Sequence, residues 1–246
     1  MTDVPPAVTE LADRLSEVGW VLDLFVAGSL AMGDYVPGVS DIDLVALVDG
    51  PIDEPRLAGL TELHEDLDRK AAASLDLGCV YVDAGELSDP DALHPTWTHG
   101  SLVERILSGV TRAELVRYGF ALLGRAPATV LPEVSDDDVR RAARAELCGY
   151  WAWASRRPLM WLNPVIADLG LTSMARGRYA LDTGQLLTKS RAIEQAHAPA
   201  WLRRQLAARR RGEIVVSPRV RTAFIAWRDA RRTVTRAARR ATDSPA

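Results

Sequence analysis

Residues 25–44 read Phe25-Val26-Ala27-Gly28-Ser29-Leu30-Ala31-Met32-Gly33-Asp34-Tyr35-Val36-Pro37-Gly38-Val39-Ser40-Asp41-Ile42-Asp43-Leu44. The β-rich run from Trp20 to Ala27 stops at Gly28-Ser29, and a short helix can begin immediately after it. At such a turn glycine permits close backbone approach, while N–H groups at the helix start and the Ser29 hydroxyl can hold phosphate oxygens. Gly28 to Val39 is a glycine-punctuated connection, and Ile42, Leu44, Val45, Leu47 and Val48 make a second strand that stops at Asp49-Gly50-Pro51. Asp41 and Asp43 lie two apart on that strand, so both carboxylates point to one face and Ile42 turns to the other. Two carboxylates side by side repel. A divalent cation between them removes the repulsion, and hard oxygen donors with coordination places left for water and phosphate suit Mg²⁺.

Outward from this stretch, Val8, Leu11, Leu15 and Val18 recur at helical spacing and end at Gly19, and Leu57, Leu60, Leu63, Leu67 and Ala71 do the same after the second strand. Leu75 to Val82 reads as a third strand. Asp76 stands at its start among apolar residues, an expensive place for a carboxylate without a metal to ligate or a proton to accept from an attacking hydroxyl. Asp83, beside Gly85, reads as a turn residue. Each piece alone is an ordinary turn or a solvated strand edge; the ordered set of Gly-Ser, a punctuated connection, Ser-Asp-x-Asp and a later strand Asp predicts a phosphate-and-metal site in an α/β domain.

Residues 101–123 read as mostly helical with a break near Gly109, and His94, Trp97 and His99 as a polar-aromatic loop able to line an acceptor pocket. Gly124 to Pro132 resembles a linker, which divides the chain into domains 1–130 and 131–246. Ser135 is a good N-cap, with Asp136, Asp137 and Asp138 at the positive end of the helix dipole, and that helix should run to about Arg156. Further helices at about 165–183, 190–197, 199–211 and 218–240 predict an all-α bundle; Trp151, Trp153, Trp161 and Asp168 are available to contact an acceptor, but tryptophans at helical spacing are more often core.

The 246 residues are 48% hydrophobic and 26% charged, a composition that excludes disorder, a collagen repeat and a disulfide scaffold. Cys79 and Cys148 sit in apolar strand-like and helix-like runs, so buried reduced thiols and a cytoplasmic setting are expected. The first residues carry Asp3, Glu10 and Asp13, and no apolar run reaches membrane-spanning length, so neither export nor anchoring is expected. Residues 1–100 hold only Arg14, Arg56, Arg69 and Lys70 as cations, whereas 203–240 hold only Glu213 and Asp229 as acids. Beside the plain reading as solvated helix faces, this polarity offers a cation-binding cleft in front and an anion-binding face behind. Lys70 and Lys189 are the only lysines among 30 Lys and Arg, which marks position 189 as a place for a compact point charge.

Gly28-Ser29 with Ser40-Asp41-Ile42-Asp43-Leu44 resembles the signature of the nucleotidyltransferase (polymerase-β-like) superfamily. Leu171 to Lys189, with Arg176, Tyr179, Thr183-Gly184 and Thr188-Lys189, resembles the C-terminal helical domain of the streptomycin/spectinomycin adenylyltransferases. The resemblance implies an α/β (α+β) domain with a mixed sheet, then a helical-bundle domain, with ATP as substrate and Mg²⁺ as cofactor. Asp41 and Asp43 match the metal-binding acids, Gly28 and Ser29 the phosphate turn, and Lys189 a lysine near the nucleotide. Asp76 takes the place of the third acid, a Glu acting as base in the aminoglycoside family, and is one methylene shorter. The implied reaction is transfer of AMP from ATP to a hydroxyl with release of pyrophosphate. The implied acceptor is a polycationic aminoglycoside drawn to an acidic cleft, which would make the chain a monomeric antibiotic-resistance enzyme. Rival readings are a protein or RNA acceptor and a non-catalytic nucleotide-binding module. Arginines spread around a helix instead of interleaved with exposed aromatics count against nucleic acid, and three mutually repelling carboxylates count against a module with no metal to hold.

Overall fold

The apolar stripe of the first helix, α1 (Pro6–Glu17), buries Ala7, Val8, Leu11 and Leu15 against a sheet whose strands alternate between two cores. The computed structural model describes residues 4–242, and the chain forms two compact units that divide between Val134 and Ser135. In the first unit, β1 (Val21–Val26), β2 (Ile42–Val48), β3 (Leu77–Asp83), β4 (Leu93–Thr98), β5 (Ser101–Ile106) and β6 (Phe120–Leu123) make one mixed sheet in the order β5-β4-β3-β2-β1-β6. Only the β2–β3 pair is parallel. A parallel pair needs a crossover, supplied by α3 (Glu54–Arg69), which Asp53 caps by accepting from Arg56 N. Ile42, Leu44, Ala46 and Val48 face a core with residues of α1 and α3, and Val45 and Leu47 face a second core with Phe25, Leu107, Leu115 and Leu131.

Three expectations change here. Residues 101–106 are not helical but form edge strand β5, joined to β4 by the two-residue turn His99-Gly100 with φ of 49° and 72°. An edge strand exposed on most positions has no period-two apolar pattern to betray it. The helix expected there is only α4 (Gly109–Tyr118), capped by Ser108 accepting from Thr111 N at 3.1 Å. The stretch 124–132 is no free linker. Arg125 donates from its backbone N and from Nη2, each at 2.6 Å, to the buried Asp23 of β1; α5 (Pro127–Val130) follows, and Leu131 is buried.

A polar network pins α3 to the sheet. His64 is fully buried, with Nε2 2.7 Å from the Tyr81 hydroxyl and its ring stacked on Trp97 at 5.0 Å between centroids. Trp97 Nε1 donates to Asp68 Oδ2 at 3.2 Å. Burial pushes the His64 imidazole down to about 3.

The second unit is helical throughout, as expected: α6 (Asp136–Glu146), α7 (Ala152–Ser155), α8 (Pro164–Thr183), α9 (Lys189–Glu194), α10 (Ala200–Arg210) and α11 (Arg219–Thr242). Ser135 opens it with a reciprocal capping box to Asp138. The expected continuous helix to Arg156 breaks in a wide turn over Leu147–Trp151, where Gly149 leaves helical geometry, and this turn leaves Cys148 exposed where a buried thiol was expected. Cys79 is buried, as expected. Trp151 and Trp161 are core, whereas Trp153 is 45% exposed. Gly170 of α8 lies flat against the Trp161 ring, which a β-carbon at that position would penetrate. Arg178 Nη1 joins α8 to α11, donating to Asp229 at 2.8 Å and Thr233 at 2.7 Å. Among the described residues no helix is long and apolar enough to cross a membrane.

Two predictions follow from these packings. Gly170→Ala lowers stability by about 1–3 kcal/mol in urea unfolding, because overpacking against Trp161 outweighs the gain of about 1 kcal/mol in helix propensity; a stabilised variant would contradict the packing. The unfolded chain protonates His64 near 6.5 and the folded one only near 3, so stability is lost as pH falls through that window. Between pH 6.5 and 4 the loss due to this group is about 3 kcal/mol. His64→Leu should flatten the pH dependence of the urea midpoint by that amount, and parallel profiles for the two proteins would refute it.

Candidate active site

β1 runs into a tight turn because Ala27 N donates to Asp43 O at 2.8 Å, holding the turn against the start of β2. Gly28 opens the single-turn helix α2 (Gly28–Ala31) with φ +57°, and a methyl group there would overlap the Asp43 carboxylate. Glycine is therefore required twice at this position, for the left-handed backbone and for the carboxylate laid against its Cα. Ser29 Oγ is buried and has no hydrogen-bond partner, so the turn holds an orphaned hydroxyl beside the acids. Asp34 N donates to Ser29 O at 2.8 Å, and Val36 N donates to Ser40 Oγ at 3.0 Å, which closes the connection into β2.

Asp41 and Asp43 are exposed while Ile42 and Leu44 are buried, the alternation read from the sequence. In the parallel register Ile42 lies opposite Leu77 and Asp43 opposite Gly78, and Ile42 N donates to Asp76 O at 2.8 Å. Asp76 therefore sits at the entrance to β3, across the backbone register from Asp41, and strand alternation turns Asp43 away from the buried Ile42 and Leu44. Gly78 leaves the ground beside Asp43 open. The expected apolar burial of Asp76 is corrected: the side chain is 45% exposed, because Leu77 takes the inward position, and His99 Nδ1 lies 3.2 Å from Asp76 Oδ2.

Among the described residues no group of three or more His, Cys, Asp and Glu is arranged to hold a metal ion. The pair Asp41–Asp43 fits Mg²⁺ in another way, since that ion is bound through one or two carboxylates and keeps its remaining places for water and phosphate oxygens. The orphaned Ser29 hydroxyl and the glycine cradle against Asp43 fit the phosphate side of such a site.

The other candidates separate. His94 and Trp97 are not in a loop: both lie on β4, each 1% exposed, and burial holds His94 below its usual range. His99 alone of that trio reaches the acidic face, and no periodicity in the sequence marks it, because its position depends on the β4–β5 turn. Asp83 Oδ1 accepts from Gly85 N at 2.8 Å, the turn role read for it. Asp168 is paired through both oxygens with Arg209, at 2.6 and 2.9 Å. In the second unit the Tyr179–Lys189 spacing is a helix-cap-helix device. Gly184 ends α8 with φ +73°, Arg176 Nε donates to Leu187 O at 2.8 Å, and Thr188 caps α9 by accepting from Arg191 N. Lys189 is the first residue of α9 and half-exposed.

Residues 8–85 match the nucleotidyltransferase domain family, a segment that contains Gly28, Ser29, Asp41, Asp43 and Asp76. Among solved structures, the spectinomycin adenyltransferase AAD(9) from Enterococcus faecialis, crystallised with ATP and spectinomycin, is similar in fold. The TM-score is 0.69 at 15% identity, over 92% of this chain and 96% of that one. No curated protein matches the sequence at a significant level. For the turn itself, Gly28→Ala should displace the Asp43 carboxylate and weaken Mg²⁺–ATP binding about tenfold or more in calorimetry while leaving the circular dichroism spectrum unchanged; unaltered affinity would show that the glycine cradle has no part in the site.

Proposed function

We propose that the chain, whose residues 8–85 match the nucleotidyltransferase domain family, moves AMP from ATP to a hydroxyl of a small polycationic acceptor of the aminoglycoside type and releases pyrophosphate. The observation that carries this reading is the exposed pair Asp41 and Asp43 on one face of β2, with Gly28-Ser29 packed against one side and Asp76 on the parallel neighbour. The likeness in fold to a spectinomycin adenyltransferase solved with its nucleotide and drug supports the choice of ATP and of acceptor class.

In the proposed reaction the acceptor oxygen bonds to the α-phosphorus of ATP, the bond from that phosphorus to the bridging oxygen of pyrophosphate breaks, and the acceptor proton passes to Asp76. Bound Mg²⁺ would neutralise phosphate oxygens and lower the pKa of the attacking hydroxyl. Asp41 and Asp43 supply the oxygen donors that hold it, on a strand fixed from both sides. The Gly28-Ser29 turn takes phosphate oxygens through close backbone approach and the otherwise unpartnered Ser29 hydroxyl. Lys189 supplies positive charge for the nucleotide. Residues 1–134 hold 8 Lys and Arg against 23 Asp and Glu, a field that draws a polycation toward the site and repels polyanionic acceptors.

The test is pyrophosphate release by purified protein with ATP and Mg²⁺ across streptomycin, spectinomycin and other aminoglycosides. Release dependent on one drug is expected, and Asp41→Asn or Asp43→Asn should abolish it in a folded protein. A fully active double variant would overturn the assignment of the acids, and silence across the panel with ATP still bound would move the acceptor to a protein hydroxyl. Lys189→Ala should raise the ATP KM about tenfold with a smaller effect on kcat; an unchanged KM would remove Lys189 from the nucleotide site.

A further inference from the structure

We propose that His99 is a positioning residue for Asp76, its Nδ1–H holding Oδ2 so that the other carboxylate oxygen stays directed at the acceptor hydroxyl. The inference rests on the reaction proposed above, in which Asp76 takes the acceptor's proton.

Three independent observations meet at this residue. The first is contact, since Nδ1 of His99 lies 3.2 Å from Oδ2 of Asp76 across a sequence gap that only the sheet can close. The second is backbone conformation. Among the described residues His99 is the only non-glycine with a positive φ, at 49°, a conformation that crowds any side chain bearing a β-carbon. Glycine or asparagine would fit the turn with less strain, and strained residues persist where the surroundings or a function hold them. The third is support. β4 runs antiparallel to β3, with Cys79 opposite Trp97, so the turn after β4 is delivered to the entrance of β3, where Asp76 stands. Trp97, two residues before His99, is clamped by the His64 ring and by Asp68, so the turn leaves a fixed base.

The chemistry explains why this chain needs the contact. An aspartate left half-exposed at a strand entrance has several staggered rotamers open to it. A hydrogen bond to one oxygen restricts that torsion and leaves the other oxygen as the proton acceptor, as an orienting partner does for a catalytic base.

Two substitutions separate the ring from the turn. His99→Gly keeps, and eases, the left-handed backbone but deletes the donor; His99→Asn also tolerates that backbone and places Nδ2 where the imidazole has Nδ1. With ATP, Mg²⁺ and whichever of spectinomycin or streptomycin the wild type turns over, H99G should lower kcat about tenfold with the ATP KM within about twofold, and H99N should recover most of the loss. Wild-type kcat in H99G, an equal loss in both variants, or a loss confined to the ATP KM would each overturn the proposal. A second measurement needs no acceptor. Nitrogen-15 NMR of the His99 ring, identified by its disappearance in H99N, should show the Nδ1–H tautomer in the wild type and a shift toward Nε2–H in Asp76→Asn; identical spectra would refute the bond. If the wild type transfers AMP to no aminoglycoside of the panel, the proposed acceptor class fails, and the NMR result still decides whether His99 holds Asp76.

Discussion

The parallel pairing of β2 with β3, with Ile42 opposite Leu77 and Asp43 opposite Gly78, brings Asp76 to the strand entrance beside Asp41, residues more than thirty apart in sequence. Were the register slipped by one residue, Asp76 would no longer lie across from Asp41 and Gly78 would no longer lie beside Asp43. That register is held by the fully buried Ile42, Leu44, Cys79 and Tyr81 on one side and by the α3 crossover that joins the two strands. Hydrophobic burial thus sets the position of groups that are themselves exposed.

A second constraint follows from the first. The β2 entrance carries acids that repel one another, so its neighbours must avoid adding bulk or negative charge at the same place. Gly28 provides this by having no side chain, and the turn it opens is held to β2 by a backbone hydrogen bond from Ala27 to Asp43. The orphaned Ser29 hydroxyl costs folding free energy in the isolated chain, and the phosphate contact proposed for this turn would supply its missing partner. Elsewhere in the first unit buried polar contacts join distant elements. Asp23 gathers the Arg125 backbone and guanidinium, and His64, Tyr81, Trp97 and Asp68 tie α3 to two strands.

Much of this was legible before the structure. Period-two alternation at Asp41-Ile42-Asp43 placed both carboxylates on one face, and the halt of an apolar run at Gly28-Ser29 marked the turn, because both signals are local. The helical second unit was equally plain from its apolar spacing, and Ser135 was legible as the N-cap of its first helix, though not its reciprocal bond with Asp138. What stayed hidden depended on distant pairing. β5 is an exposed edge strand without apolar rhythm, so 101–106 read as helix; His94 and Trp97 read as loop because a proline and two polar residues lie among them, yet both are buried on β4, Trp97 against His64 of α3. The exposure of Asp76 followed from Leu77 taking the inward position, which a flanking-residue argument cannot foresee. Gly149 broke a helix that its neighbours' propensities favoured, and Cys148 came to the surface with it. His99 was found in the sequence as part of a loop, but its partner was not, since a two-residue turn decides where it points.

The central claim is that this acidic face directs an acceptor to the α-phosphorus of ATP, and the most direct measurement is the mass of the acceptor and the identity of the nucleotide product. Spectinomycin and streptomycin are incubated separately with the protein, ATP and Mg²⁺, and the products are resolved by mass spectrometry. The account predicts a drug heavier by one adenylyl group, pyrophosphate as the other product, and neither in Asp43→Asn. A drug heavier by a single phosphoryl group with ADP released, or drug modification that survives Asp43→Asn, would contradict it.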